Sequence, residues 1–395
     1  MEVSQIYEIV NSVSSEVLGE SAVVNEDLTG IVDIGTTVAN LGSAEFENYT
    51  RALIDRIGRV VFVNRPYAGS APSVLMDAWE YGSILEKIQA EMPEAQQNDT
   101  WELEDGYTYN QDTFRKPIVS AKFYNSKTTF ETQMSFARRQ VKSAFESVAQ
   151  LNAFFSMIDT AIYNGQTVKT DALIMRVINS AIANTINAEF TGGSGYDAST
   201  GVRAVNLLYL YNQAHSGATI ASFEAAMSNP EFIRFAAYTM SLYQDRMRKL
   251  STLFNIGGKA RFTPADRLHF IMLNDFSKAA DVYNQSDTFH NQFTALPNAE
   301  TVPYWQGTGL SYDIDDISAI NTTVNVAGGT QTISATGIIG VMFDHDALGV
   351  CNQDRRVTTH YNARAEFVNN WYKVDASYFN DFNENCVVFY AAVGD

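Results

Sequence analysis

Basic residues are missing from the start of this chain. Residues 1–50 hold nine Asp or Glu and no Lys or Arg, and the first base is Arg51. Cysteine is nearly absent as well. Cys351 and Cys386 are the only two in 395 residues, too few for a disulfide framework and better matched to a reduced thiol pair. Proline stops at 8 residues and glycine at 24, which excludes collagen-like and linker compositions. No apolar run approaches the roughly 20 residues that span a bilayer. Glu2 sits where the basic region of a secretory signal would begin. The five histidines, His215, His269, His290, His345 and His360, never fall at His-x-x-x-His spacing, and no Cys-x-x-Cys occurs, so the usual zinc motifs are missing. There is no internal repeat and no low-complexity tail.

What is present is a chain rich in core-forming residues. Hydrophobic residues make up 46% and aromatics 12%, far too apolar for disorder and enough for a large core in two or three domains. The formal charge is −18, and its arrangement says more than its size. Residues 1–50 contribute −9. Residues 86–112, with eight acids and the single base Lys87, contribute −7, so the rest of the chain nets only −2. Residues 113–142 reverse the sign, with seven bases against Glu131. Such blocks mark solvated faces or surfaces that meet partners. An acidic chain is a poor ligand for nucleic acid backbones, which need Lys/Arg clusters.

Periodicity predicts a helix from Ser4 to a stop at Gly19, carried by Ile6, Val10, Val13 and Val17. Residues 20–42, rich in Gly, Thr and Val, read as extended. A second helix is expected from Ala44, capped by Ser43 and ended by Gly58, followed by a strand over Arg59–Val63. Residues 64–128 read as a large extended hairpin, with a short helix near Ser83–Met92, an acidic middle, and a returning strand over Lys116–Tyr124. Trp79 and Trp101 lie in it, either in local packing or in contact with another subunit. Two strong helices follow, Lys142–Tyr163 and a second capped by Thr170, and a third runs over Pro230–Leu250 with Asn229 as its cap. Leu268–Leu273 reads as a buried strand and Asp275–Val282 as a short helix. A hairpin is expected over Thr322–Ala335 around Gly328-Gly329, then strands at Ile338–Phe343, Val357–Tyr361, Phe367–Tyr378 and Cys386–Tyr390.

Candidate chemistry is sparse. Asp344-His345-Asp346 follows an apolar strand, where catalytic groups often sit, but it also fits a polar turn. Asp313, Asp315 and Asp316 are spaced to hold a hard cation or simply to be solvated. Gly192-Gly-Ser-Gly195 follows a helix and lacks the Lys-Ser/Thr of a phosphate loop, so that reading fails. Cys386, in an apolar strand, suits an inert buried thiol. No enzyme, metal or cofactor is expected.

The order of elements resembles tailed-phage major capsid proteins with the Hong Kong 97 fold. The likeness is strongest to those of small short-tailed, picovirus-type phages. It is carried by Leu53-Ile-Asp-Arg-Ile-Gly58, by Ile158-Asp-Thr-Ala-Ile-Tyr-Asn164, by the run from Ile338 through Asp344-His345-Asp346 to Leu348, and by the aromatic strands of Phe367–Phe389. The resemblance implies an α+β, Hong Kong 97-like capsid fold. Its parts would be an N-terminal arm (1–60), an extended loop (61–128), a peripheral domain with a spine helix (129–199), an axial domain (200–350) and a return to the peripheral domain (351–395). It implies a shell subunit assembled in the host cytoplasm into an icosahedral head around double-stranded DNA. Implied partners are further copies in pentamers and hexamers, a separate scaffolding protein (the arm begins almost at Met1), a portal protein, and DNA by proximity only. Within it, Trp79, Trp101, Glu102, Glu104, Asp105, Arg115, Lys116, Lys122, Lys127, Arg138 and Arg139 are expected at inter-subunit contacts. The alternatives are an encapsulin-type shell, which is usually shorter, and a metal-assisted hydrolase built on Asp344, His345 and Asp346.

Overall fold

A computed structural model describes residues 3–19, 24–25, 30–64, 70–76, 85–90, 95, 98, 100–109, 112, 114–285, 299–305, 316–326 and 329–394. The chain opens with three helices: α1 (Val3–Leu18), α2 (Ile31–Asn40) and α3 (Ser43–Asn64). Ile6, Ile9, Val10 and Val13 form the buried stripe of α1, and Gly19 ends it at φ +95°, a conformation that suits glycine. The helix begins at Val3, so Ser4 lies inside it rather than capping it.

Two expectations here need correcting. Part of the segment read as extended is α2, because Ile31, Ile34 and Val38 fall on one helical face that closes against the core. Gly35 makes that closure possible, since a Cβ there would stand 2.5 Å from Phe145 Cβ and 2.9 Å from its carbonyl oxygen. Gly35→Ala is therefore expected to cost about 1–3 kcal/mol through overpacking, read as a lower urea midpoint; an unchanged midpoint would show that α2 does not depend on this approach. The second correction concerns α3, which runs through Gly58 to Asn64 and leaves no strand at Arg59–Val63. A helical glycine costs only about 1 kcal/mol, and burial of Phe46, Tyr49, Leu53 and Ile57 on one face outweighs it.

Next come β1 (Leu75–Met76), β2 (Leu85–Ala90), β3 (Val119–Tyr124) and β4 (Lys127–Ala137). β2 takes the place of the helix expected near Ser83–Met92, and its alternating exposure has a period of two. β4 is new relative to the sequence reading. It pairs antiparallel with β12 (Phe367–Asn380), from Lys127↔Ser377 to Ala137↔Phe367.

After α4 (Arg138–Ala144), α5 (Val148–Glu189) is one continuous helix of 42 residues, about 63 Å long at 1.5 Å per residue. The two helices predicted here are its two halves. Thr170 is an interior, buried residue, and the cap is Ser147, whose hydroxyl accepts from the Gln150 N–H at 3.3 Å. The first half packs Leu151, Phe155, Ile158 and Ile162 against α1–α3, while the second, from Leu173 to Ile186, is buried beneath the sheets. The apolar stripe changes face along the helix because the helix serves two cores.

The remaining elements are β5 (Ala204–Asn206), α6 (Leu207–Ala214), α7 (Phe223–Met227), α8 (Pro230–Met247), β6 (Leu268–Leu273), α9 (Asn274–Gln285), β7 (Glu300–Val302), β8 (Ile320–Val326), β9 (Gly329–Ala335), β10 (Ile338–Asp344), β11 (Leu348–Asn362) and β13 (Cys386–Tyr390). Asn229 caps α8 as expected, accepting from the Glu231 and Phe232 N–H groups at 2.9 and 3.1 Å. β8 and β9 form the expected hairpin; Gly328 of its turn lies outside the described residues.

Two sheets organise the chain. One has the order β1-β11-β12-β4, the other β5-β13-β10-β6-β7. β10 is central in the second and buried on both faces. Val341 and Phe343 point to α5, while Ile339 and Met342 point to α6–α9, which is why its sequence is a continuous apolar run. β13 inserts between β5 and β10, so the last strand joins the sheet of residues 204–344, while β11 and β12 join β4. Trp305 is fully buried; its indole N–H donates to the Ile338 carbonyl at 2.8 Å.

Candidate assembly surface

Among the described residues, β2 and β3 pair only with each other, as an antiparallel ribbon from Leu85↔Tyr124 to Ala90↔Val119. Strand parity divides its side chains. Leu85, Lys87, Gln89, Lys122 and Tyr124 turn toward the body and are half-buried; Glu86, Ile88, Ala90, Val119, Ala121 and Phe123 turn outward and are exposed. The polarity is the reverse of an ordinary surface ribbon, with the lysines inside and Ile88 (67% exposed) and Phe123 (64%) outside.

The inner face has a physical explanation. Lys87 lies directly opposite Lys122, and like charges in that position repel. Asp381, in the turn between β12 and β13, sits between them, 2.8 Å from Lys87 Nζ and 2.9 Å from Lys122 Nζ, with its side chain 0% exposed. Lys87 also pairs with Glu384 at 2.9 Å. Gln89 donates to Asp381 and Glu384 at 3.2 and 2.8 Å and accepts from Arg261 at 2.7 Å. Burial alone would raise the Asp381 carboxyl, but the bonds from Lys87 and Lys122 outweigh it and hold the group below the ordinary carboxylate value. Lys87 mirrors this: burial would lower it, and Asp381 and Glu384 together hold it above the ordinary lysine value. Burial and then Asp381 push the Tyr124 hydroxyl up, and its ring packs 5.2 Å from Phe379.

Beyond the strands, the tip carries Trp101 at 96% exposure, with Leu103, Tyr107 and Phe114 also exposed. Exposed apolar groups in such number mark an interaction surface. Of the residues singled out from the sequence, Trp101, Glu102, Glu104, Asp105, Arg115, Lys116, Lys127 and Arg139 are exposed. Trp79 and the Arg138 side chain lie outside the described residues. Lys122 departs from expectation, because strand parity turns it inward to Asp381 in its own chain. Lys87, Gln89, Arg261, Asp381 and Glu384 were not singled out, since nothing local in the sequence links positions nearly 300 residues apart.

The other candidate groups are engaged locally. Asp346 pairs with Arg267, the Asp346 N–H donates to Asp344 Oδ1 at 3.0 Å, and His345 Nδ1 lies 3.2 Å from His269 Nε2. Asp316 accepts from the Ser318 N–H and hydroxyl, both at 2.8 Å; Asp313 and Asp315 lie outside the described residues. The Gly192 N–H donates to Asn187 Oδ1 at 3.0 Å. Among the described residues, no three His, Cys, Asp or Glu side chains come together to hold a metal. Burial pushes the Cys386 thiol up to about 12 despite its bond to Thr185, and Cys351 is buried. Both are expected to resist a thiol reagent at pH 8 until the protein is unfolded; a fast-reacting native thiol would contradict that packing.

A family model of Phi29-like phage major capsid proteins matches residues 6–390. The chain belongs to that family. The capsid protein shares its fold with the capsid of Staphylococcus phage Andhra, at a TM-score of 0.50 and 10% identity over 83% of this chain and 86% of that one. The capsid of Cyanophage P-SCSP1u is similar at a TM-score of 0.46 and 12% identity, over 84% of this chain and 90% of that one. No protein of curated function matches the sequence. The Hong Kong 97-like capsid fold expected from the sequence is therefore the fold of this chain, its place is the virion capsid, and it associates with further copies of itself in a shell. Neither the encapsulin reading nor the hydrolase reading gains support.

Proposed function

We propose that this capsid protein reaches its neighbours chiefly through the β2–β3 ribbon and its tip, and that it acts as a wall without catalysis. The observation that carries this reading is the inverted ribbon, with charge latched inward and Ile88, Phe123 and Trp101 left in water. In this reading the layout is an arm (1–60), an extended loop (61–128), a peripheral domain (129–199), an axial domain (200–350) and a return (351–395) that contributes strands to both sheets. Glu102, Glu104 and Asp105 of one copy meet bases of another; Arg115, Lys116, Lys127, Arg138 and Arg139 are the cations nearest in sequence. Charge pairs of this kind set partner and register more than affinity, and many modest contacts together hold a shell.

The shell encloses double-stranded DNA, which it meets by proximity, and an acidic wall keeps the packaged polyanion from adhering. Assembly uses a separate scaffolding protein and a portal. The test is expression with and without a small helical scaffold-like protein from the same genome, followed by electron microscopy. Closed shells in the co-expressed sample support the reading, and small soluble oligomers under every condition would sink it.

A further inference from the structure

Residues 246–262 form a second surface of unusual character. After α8 the backbone closes on itself, Ser251 and Arg261 exchanging two N–H···O bonds of 2.9 Å. Asn255 fixes the loop from inside, donating to the Lys259 carbonyl at 2.7 Å and accepting from its N–H at 2.8 Å, while Phe254 is buried beneath. The loop is thus preformed, yet it holds Leu250, Leu253 and Phe262 in water. Leu250 and Phe262 flank the Ser251–Arg261 bridge and are neighbours. Arg246, Arg248 and Lys249, which precede Leu250 in the chain, are exposed as well; Arg246 lies over the Tyr243 ring at 5.3 Å and Arg248 pairs loosely with the exposed Asp245 at 3.6 Å.

We infer that this loop is the seat for the outward face of the ribbon of an adjacent copy. Ile88, Val119 and Phe123 would cover Leu250, Leu253 and Phe262. Glu86, on the same outward face, would meet Lys249 and its neighbour Arg248. The two surfaces match twice over, apolar against apolar and acid against base. The pairing also explains why two different exposed patches occur on one chain. A head-to-tail contact between unlike surfaces gives a ring where its rotation closes and an open filament where it does not; a shell's capsomer needs the former and uses both surfaces, whereas a helper protein would require only one of them. Arg261, at the base of the loop, holds Gln89 of its own ribbon, so a neighbour seated on the loop presses on the residue that positions the next ribbon in the ring.

The inference rests on the shell reading, and the experiment separates the two. Phe123→Cys and Leu253→Cys are combined in one chain; Cys351 is buried and the Cys386 thiol is suppressed, so both native cysteines stay in place. Shells are assembled, checked by electron microscopy and mildly oxidised. The expected result is a covalent ladder from dimer to capsomer in denaturing gels, with none from either single variant. Normal shells without a ladder, or a crosslink from the Phe123→Cys thiol to the scaffolding protein, overturn the inference and leave the shell reading intact. Wild-type chains that never form shells overturn both. Should the cysteine pair impair assembly, Lys249→Glu is expected to lower shell yield at least tenfold and Glu86→Lys in the same chain to restore it; a Lys249→Glu yield that Glu86→Lys does not restore overturns the inference.

Discussion

Asp381→Ala is expected to destabilise the capsid protein by about 3 kcal/mol and to release the β2–β3 ribbon. Removing one partner of a buried ion pair costs about 3–5 kcal/mol because the remaining charge is left uncompensated. The lower end applies here. Lys122 is 37% exposed and can turn to water, and Lys87 keeps Glu384. The carboxylate also organises its own turn, accepting from the Asn383 N–H at 3.1 Å. Lys122→Met, by contrast, removes a cation already near water and should cost about 1 kcal/mol or less. Urea unfolding gives the stability, and limited proteolysis between residues 77 and 124 reports the ribbon. An Asp381→Ala protein with the wild-type midpoint and cleavage pattern would show that the ribbon is held by something else.

The same cluster sets a pH window. The folded Asp381 carboxyl lies below its ordinary value. Its contribution is therefore fully present above an unfolded pKa of about 3.9 and is lost as pH falls through the folded value. Lys87 lies above its ordinary value. Its contribution is present below about 10.4 and is lost as pH rises through the folded value. The latch should hold between these limits. Acidification below about pH 3.9 should expose the ribbon to an acid-tolerant protease, a step that Asp381→Ala lacks.

Removing the tip should have the opposite profile, with assembly lost and stability kept. Ala90 faces Val119 across the ribbon, so a two-residue Asn-Gly turn can replace residues 91–118 and close the hairpin. The cut leaves Lys87, Gln89 and Lys122 on the latch. Every described residue between Glu102 and Ile118 is exposed, so unfolding stability should change by no more than about 0.5 kcal/mol, as for surface changes generally. Shells, judged by sedimentation and electron microscopy, should disappear. Normal shells from the shortened chain would remove the tip from the assembly contacts.

These two experiments bear on parts of the protein that differ in how readily the sequence reveals them. α8 was legible because Asn229, Pro230 and a 3–4 apolar spacing lie within a few residues of one another. β10 and β13 were legible because a run buried on both faces has to be apolar throughout. The acid blocks and the aromatics of the tip could be counted directly. In each case the signal is local: a cap, a period, a turn residue or a composition. The family likeness rested on the order of such signals along the chain.

Other elements were decided by packing. α2 looks extended in composition and is helical because Gly35 can approach Phe145. α3 passes through a glycine, and α5 joins two apparent helices, because burial along their faces outweighs the local tendency to stop. The latch was least visible. Lys87 meets Glu384 across 297 residues and Lys122 meets Asp381 across 259, and no periodicity encodes a pairing at that distance. Whether Lys122 faces a neighbour or its own Asp381 depends on strand parity, and a shift of one residue would reverse it. Composition and periodicity determined two acidic blocks and most of the helices and strands, in an order that resembles capsid proteins; only the register of the ribbon and the fold of the β12–β13 turn decided which of its faces is latched to Asp381 and which is left in water.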